Sequence, residues 1–102
     1  MWDIIWSEQA ETDYYDTLSF WTAHNYSETY SIKILKEVER AEELLSINPY
    51  IGSIRFQDGV EIRKFTILRN FSIIYKISDL VEIIAFWDNR RNPNSLEPLL
   101  NI

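Results

Sequence analysis

Five of the seven basic side chains in the second half of the chain gather around apolar segments: Arg63, Lys64 and Arg69, then Arg90 and Arg91. Residues 1–51 carry three basic side chains against ten acidic, and residues 52–102 carry seven against six. The formal charge of the whole chain is -6, so polyanions repel it at long range. Contact with nucleic acid would have to come from that local cluster, and sequence-specific DNA binding by this chain alone is not expected. Each candidate also has a structural reading. Arg63 stands next to Lys64 and two residues from Glu61, and an exposed pair of that kind contributes only ~0–1 kcal/mol. Arg69 lies in a polar turn, either solvated or functional. Asp88, two residues before Arg90, can hold that guanidinium in place, so Asp88, Arg90 and Arg91 read equally as a structural clamp or as a partner-binding group. Trp87 closes an apolar run and reads as core or as a stacking platform.

Little other chemistry is available. The absence of Cys excludes thiol nucleophiles, disulfides and thiolate metal sites. His24 is the single histidine, too few for a histidine metal site, and it reads as a helix terminator. Glu42-Glu43 and Asp13/Asp16 read as wet helix faces. No metal and no cofactor is expected.

The elements that position these residues follow from periodicity. A chain of 102 residues, 46% hydrophobic and 15% aromatic, is one domain spanning residues 1–102, large enough for a single core. Trp2-Asp3-Ile4-Ile5-Trp6 reads as a short strand and Ser7 as a helix N-cap. Ala10, Tyr14, Leu18 and Trp21 then repeat at helical spacing until His24-Asn25-Tyr26 breaks the pattern. A second helix starts at Ser27 and runs to about residue 46, with Tyr30, Ile34, Val38, Ala41 and Leu45 on its apolar stripe. The short connection predicts an antiparallel helical hairpin, ended by Asn48-Pro49 and Gly52. Ile54-Arg55-Phe56 is a short strand candidate, Asp58-Gly59 a hairpin turn, and residues 60–68, 71–77 and 80–87 are strands of an antiparallel meander. The expected fold is α+β: an N-terminal strand, a helical hairpin on one sheet face, then a three-stranded antiparallel meander, in the order β-α-α-β-β-β. Residues 88–102 form a polar and then apolar tail with Leu96, Leu99, Leu100 and Ile102, packing back on the sheet or belonging to a binding surface. Tyr14, Trp21 and Tyr30 fit the hairpin core. Trp2, Tyr15, Phe20, Tyr26 and Tyr50 do not all fit there, and exposed aromatics are preferred interface anchors. No apolar run reaches the ~18 residues of a membrane span, and the N-terminus lacks the basic region of a signal peptide, so a cytoplasmic protein is expected.

With that order on the page, three segments resemble the RelE/ParE superfamily of bacterial type II toxins. Ile4-Ile5-Trp6-Ser7-Glu8-Gln9-Ala10 is similar to its strand and "W-S-x-x-A" helix start. Ile62-Arg63-Lys64 with Asn70-Phe71-Ser72-Ile73-Ile74-Tyr75-Lys76-Ile77 is similar to its "R-x … Y-x-I-I-Y-x-I" strand pair, and Asp88-Asn89-Arg90-Arg91-Asn92-Pro93 to its "D-x-R-x-N-P" close.

The resemblance implies a growth-inhibiting toxin, of the kind that stabilises plasmids, neutralised by a cognate antitoxin that wraps its helices and sheet. RelE-like members cut messenger RNA on the ribosome, and ParE-like members poison DNA gyrase. Metal-free RNA cleavage needs a base, an acid and cations around the phosphate. RelE-like enzymes draw on basic strand residues and on an Arg, His or Tyr near the C-terminus. Here Arg63, Lys64, Arg69 and Arg90 could surround a phosphate, but neither Tyr nor His follows Tyr75. That lack, with the acidic net charge, favours the ParE-like branch, a non-enzymatic protein with Arg63, Arg69, Trp87, Asp88, Arg90 and Arg91 as contacts to target or antitoxin. The alternatives are a ribosome-dependent endonuclease and a degenerate toxin that only binds its antitoxin.

Overall fold

In the computed structural model, which describes residues 1–57 and 59–90, Ser7 ends one element and starts the next. Its N–H donates to the Ile83 carbonyl at 2.8 Å, closing β1 (Ile4–Trp6), and its Oγ accepts from the Ala10 N–H at 3.1 Å, capping α1 (Glu8–Asn25). This satisfies one of the orphan donors at a helix start. Tyr26 ends α1 with φ of 52°. The second helix, α2 (Thr29–Ile47), begins two residues later than the spacing predicts, yet Ser27 Oγ still accepts the Thr29 N–H at 3.2 Å. Between the helices, the Thr22 and Ser31 hydroxyls lie 2.6 Å apart and Ser31 Oγ donates to the Leu18 carbonyl at 2.8 Å. The hairpin is therefore pinned by polar contacts as well as by its apolar stripe.

After α2 a 3-10 turn (Pro49–Ile51) leads into β2 (Ser53–Gln57), β3 (Val60–Ile67), β4 (Phe71–Ile77) and β5 (Val81–Asp88). The α+β class and the element order hold. The meander, however, has four antiparallel strands rather than three, because the short candidate at Ile54 becomes the full edge strand β2. The strand order is β1-β5-β4-β3-β2, with β1 parallel to β5 and Ile4 opposite Val81. Two residues separate Gln57 from its partner Val60, and the second, Gly59, has φ of 82°, as a tight hairpin requires. Both helices cover one face of the sheet. Ala10, Tyr14, Ile34, Val38, Ala41 and Leu45 bury themselves there against Ile67, Phe71, Ile73, Tyr75, Val81, Ile83 and Phe86. Trp2 also packs into this core, whereas Tyr15, Phe20, Tyr26 and Tyr50 are exposed.

One irregularity sets what each face of β5 carries. Ile74 pairs with Ala85 but Tyr75 pairs with Ile83, so Ile84 has no partner and forms a β-bulge. Val81 and Ile83 point to the helices, Ile84 and Ala85 both belong to the opposite face, and Phe86 and Asp88 return to the helix side. Strict alternation from Ile83 would have put Trp87 under the helices. Instead Trp87 packs with Ile62, Ile74 and Ala85 on the open face.

Tyr14 stacks on Trp6 at 5.2 Å and meets Phe86 edge-on at 5.1 Å. Burial, and then the carboxylates of Glu42 and Glu39, push its hydroxyl up to about 12. An unfolded tyrosine ionises near 10, so above that pH the unfolded chain sheds a proton that the folded chain retains. Stability is expected to fall as pH rises from about 10 towards about 12. Tyr75, raised in the same direction by its own burial, adds to the loss. Denaturation midpoints measured across that window should drop, and Tyr14→Phe should flatten the decline.

Candidate functional site

Arg63 is the most constrained of the candidate cations. Its Nε meets Glu61 Oε2 at 2.7 Å, and Nη1 donates to the carbonyls of Tyr50 and Gly52, both at 2.8 Å. The guanidinium carbon sits 5.3 Å from the Tyr50 ring centre, and 13% of the side chain is exposed. These bonds tie the 3-10 turn to β3. Tyr75 anchors the same turn from below, its hydroxyl donating to the Pro49 carbonyl at 2.7 Å and accepting from the Gly52 N–H at 3.1 Å.

Lys64, next along β3, projects to the opposite face by strand alternation. It stands opposite Ser53 on one side and Ile74 on the other, with no ion-pair partner among the described residues. Arg69 lies in the turn between Ile67 and its partner Phe71, where Leu68 and Arg69 take φ of 48° and 66°. Two consecutive left-handed residues give the mirror-image turn that suits a twisted hairpin, though neither is glycine. The Asn89 N–H donates to the Asn70 carbonyl at 2.9 Å, which ties this turn to the end of β5.

Asp88 and Arg90 complete that end. The Asp88 side chain is 3% exposed, its Oδ2 accepting from Trp21 Nε1 at 2.7 Å and its Oδ1 from the Arg90 main-chain N–H at 2.9 Å. The Arg90 guanidinium lies 4.2 Å from the Trp21 ring centre and 5.1 Å from those of Tyr30 and Phe71, and Nη2 donates to the Tyr30 hydroxyl. Its Nε is 3.8 Å from Asp88 Oδ1. Arg91 and the apolar tail residues Leu96, Leu99, Leu100 and Ile102 lie outside the described residues.

The candidate cations thus divide into three places. Arg63 sits past the C-terminal end of α2, at Tyr50, and Arg90 sits at its N-terminal end, at Tyr30. With a rise of 1.5 Å per residue that separation is about 28 Å. Arg69 shares the Arg90 end, while Lys64 is on the other sheet face. Arg63 and Arg90 therefore do not surround one phosphate. His24 ends α1 as expected, stacked on Phe20 at 5.6 Å and edge-on to Trp21 at 5.2 Å. Among the described residues no group of three His, Asp or Glu side chains could hold a metal ion, and no helix is long and apolar enough to cross a membrane.

Sequence reasoning missed the aromatic surroundings of Arg90. Trp21 and Tyr30 carry the helical spacing of core residues, and they are core, but they also present ring faces to a cation sixty residues away. The Asp88-x-Arg90 spacing was the one local signal.

The comparisons agree with this architecture. The family model described as "ParE toxin of type II toxin-antitoxin system, parDE" matches residues 4–93. A solved structure titled "Chromosomal ParDE TA system from P. aeruginosa" superposes with a TM-score of 0.66 at 17% identity, covering 86% of this chain and 96% of that one. At that identity the likeness is one of fold. No curated protein sequence matches the chain.

Proposed function

Because the chain belongs to the ParE toxin family of type II toxin-antitoxin systems, we propose that it arrests growth by binding a protein target, DNA gyrase, and that a cognate antitoxin holds it inactive. The observation that carries the choice of a protein target is the placing of the cations. Arg63 is committed to the turn after α2 and stands a helix length from Arg90, an arrangement suited to contacts spread over a surface rather than to one scissile phosphate. The net charge of -6 favours a protein partner over ribosomal RNA.

The antitoxin needs an apolar surface to cover. The outer side of α2 exposes Ile32, Leu35, Leu44 and Ile47, and Tyr15, Phe20, Tyr26 and Tyr50 are exposed nearby in sequence. Bare surface of that composition marks an interaction site. The contacts to gyrase are assigned to the opposite pole from Arg63, to Arg69 in its tight turn with Trp87, Asp88, Arg90 and Arg91 beside it in sequence or space.

Inducing the chain alone, with growth and a DNA-damage reporter read together, tests the proposal. Arrest with the reporter on, and inhibition of purified gyrase, is the expected result, with Arg69→Ala lowering both at least tenfold without changing the melting temperature. Arrest with the reporter off and cut transcripts would move the target to the ribosome. No arrest at all would leave only antitoxin binding. Either result overturns the gyrase assignment.

A further inference from the structure

We propose that Trp21, Tyr30, Phe71 and Asp88 form a preassembled guanidinium-binding box, which this chain fills in cis with its own Arg90, latching the start of residues 91–102 onto the helical hairpin. The inference rests on described side chains alone and does not depend on the toxin reading.

The walls of the box are held by contacts that do not involve the Arg90 guanidinium. Trp21 is fixed by its bond to Asp88 and by edge-on packing with Tyr30, at 5.4 Å, and with Phe20, at 5.0 Å. Phe71 is fully buried, stacked on Phe86 at 5.8 Å and tilted against Tyr30 at 6.3 Å. The carboxylate is oriented by an indole N–H and by a main-chain N–H that any residue but proline would supply at position 90. Removing the guanidinium should therefore leave three ring faces and one buried carboxylate around an empty space.

That set of groups matches one ligand chemistry. Ring faces attract cations through their quadrupole, and a planar, weakly hydrated guanidinium can lie over them while its edge donates to oxygen. The edge acceptors are present, in the Tyr30 hydroxyl and Asp88 Oδ1. A buried carboxylate left without a cation is costly, so the emptied box should recruit one. An ammonium can enter but lacks the flat face and forked donors, so it is the weaker ligand. Arg90 is the second residue past β5, so the box fixes where the rest of the chain departs from the sheet.

The test is chemical rescue in the full-length chain carrying Arg90→Ala, with N-ethylguanidinium as the probe. The Trp21 indole N–H resonance, bonded to Asp88, reports directly on the box. The expected result is saturable shift of that resonance in the variant in the millimolar range, a rise in melting temperature on the same titration, and binding of ethylammonium at least fivefold weaker. Unaltered protein should show no saturable shift, because Arg90 occupies the site. Adding Asp88→Asn to the variant should weaken binding at least tenfold. A folded Arg90→Ala chain that shows no saturable shift, or one that responds no more than the unaltered protein, overturns the proposal. Should Arg90→Ala not fold, Arg90→Gln retains the aliphatic stem and is read by the same titration with the same two outcomes.

Discussion

Phe71→Ala is expected to destabilise the protein by about 3–5 kcal/mol, lowering its melting temperature by on the order of 20 °C for a domain of this size. The ring is fully buried at the start of β4, stacked on Phe86 and tilted against Tyr30. A cavity there cannot fill by small movements, because its neighbours are themselves anchored. Phe86 is wedged by Trp6 and Tyr14, and Tyr30 by Trp21. Since folded domains are stable by only about 5–15 kcal/mol, the loss takes a large fraction of the total. Thermal melting followed by circular dichroism checks it. A fall of only a few degrees would mean that the core around Phe71 is looser than these contacts describe.

The second large effect is expected at Gly52, for reasons of space rather than backbone angle. Its φ is -73°, open to any residue. A Cβ at that position, however, would lie 2.4 Å from the Tyr75 hydroxyl and 2.8 Å from the Lys64 carbonyl oxygen. Neither neighbour can yield cheaply. Tyr75 is fully buried with its hydroxyl bonded to Pro49 and Gly52, and the Lys64 carbonyl is strand backbone. Gly52→Ala must push the phenol aside, and overpacking plus the lost hydrogen bonds should cost about 3 kcal/mol. In a Tyr75→Phe background the clash with the oxygen is gone. The same substitution should then cost at least about 1 kcal/mol less, the size of coupling seen between residues in contact. Denaturant titration of the four proteins measures that coupling, and strictly additive effects would refute the steric account.

Much of this architecture is legible in the sequence because it is local. Ser7 caps a helix by its position before an acidic first turn, the stripes of both helices follow a 3.6-residue period, and Asp58-Gly59 marks a hairpin. Arg63 and Glu61 could be paired on paper, since alternate strand residues share a face. What stayed hidden depends on the third dimension. The parallel pairing of β1 with β5 joins segments almost eighty residues apart, and no short-range pattern encodes it. The bulge at Ile84 lies in a run of Ile, Ile, Ala, Phe and Trp, where every residue is apolar and alternation leaves no trace. The commitment of Arg63 to the Tyr50 and Gly52 carbonyls is equally silent, because main-chain acceptors have no signature in the sequence. The surroundings of Arg90 come from α1, α2, β4 and the end of β5 at once, so each contributor looks like ordinary core in its own segment. The family resemblance supplied the order of the elements, but not which cations stand together.

The extra residue in β5 has a consequence for how this strand can change over time. Which side chain faces the helices after Ile83 depends on how many residues follow it, not on which they are. Ile84 itself can be exchanged for other apolar residues with little effect beyond local packing. Its deletion would invert everything downstream, turning Trp87 inward, Asp88 outward, and carrying Arg90 to the wrong side of the sheet. This strand should therefore vary freely in composition and hardly at all in length, and a shorter β5 would be viable only with its acidic and aromatic positions exchanged.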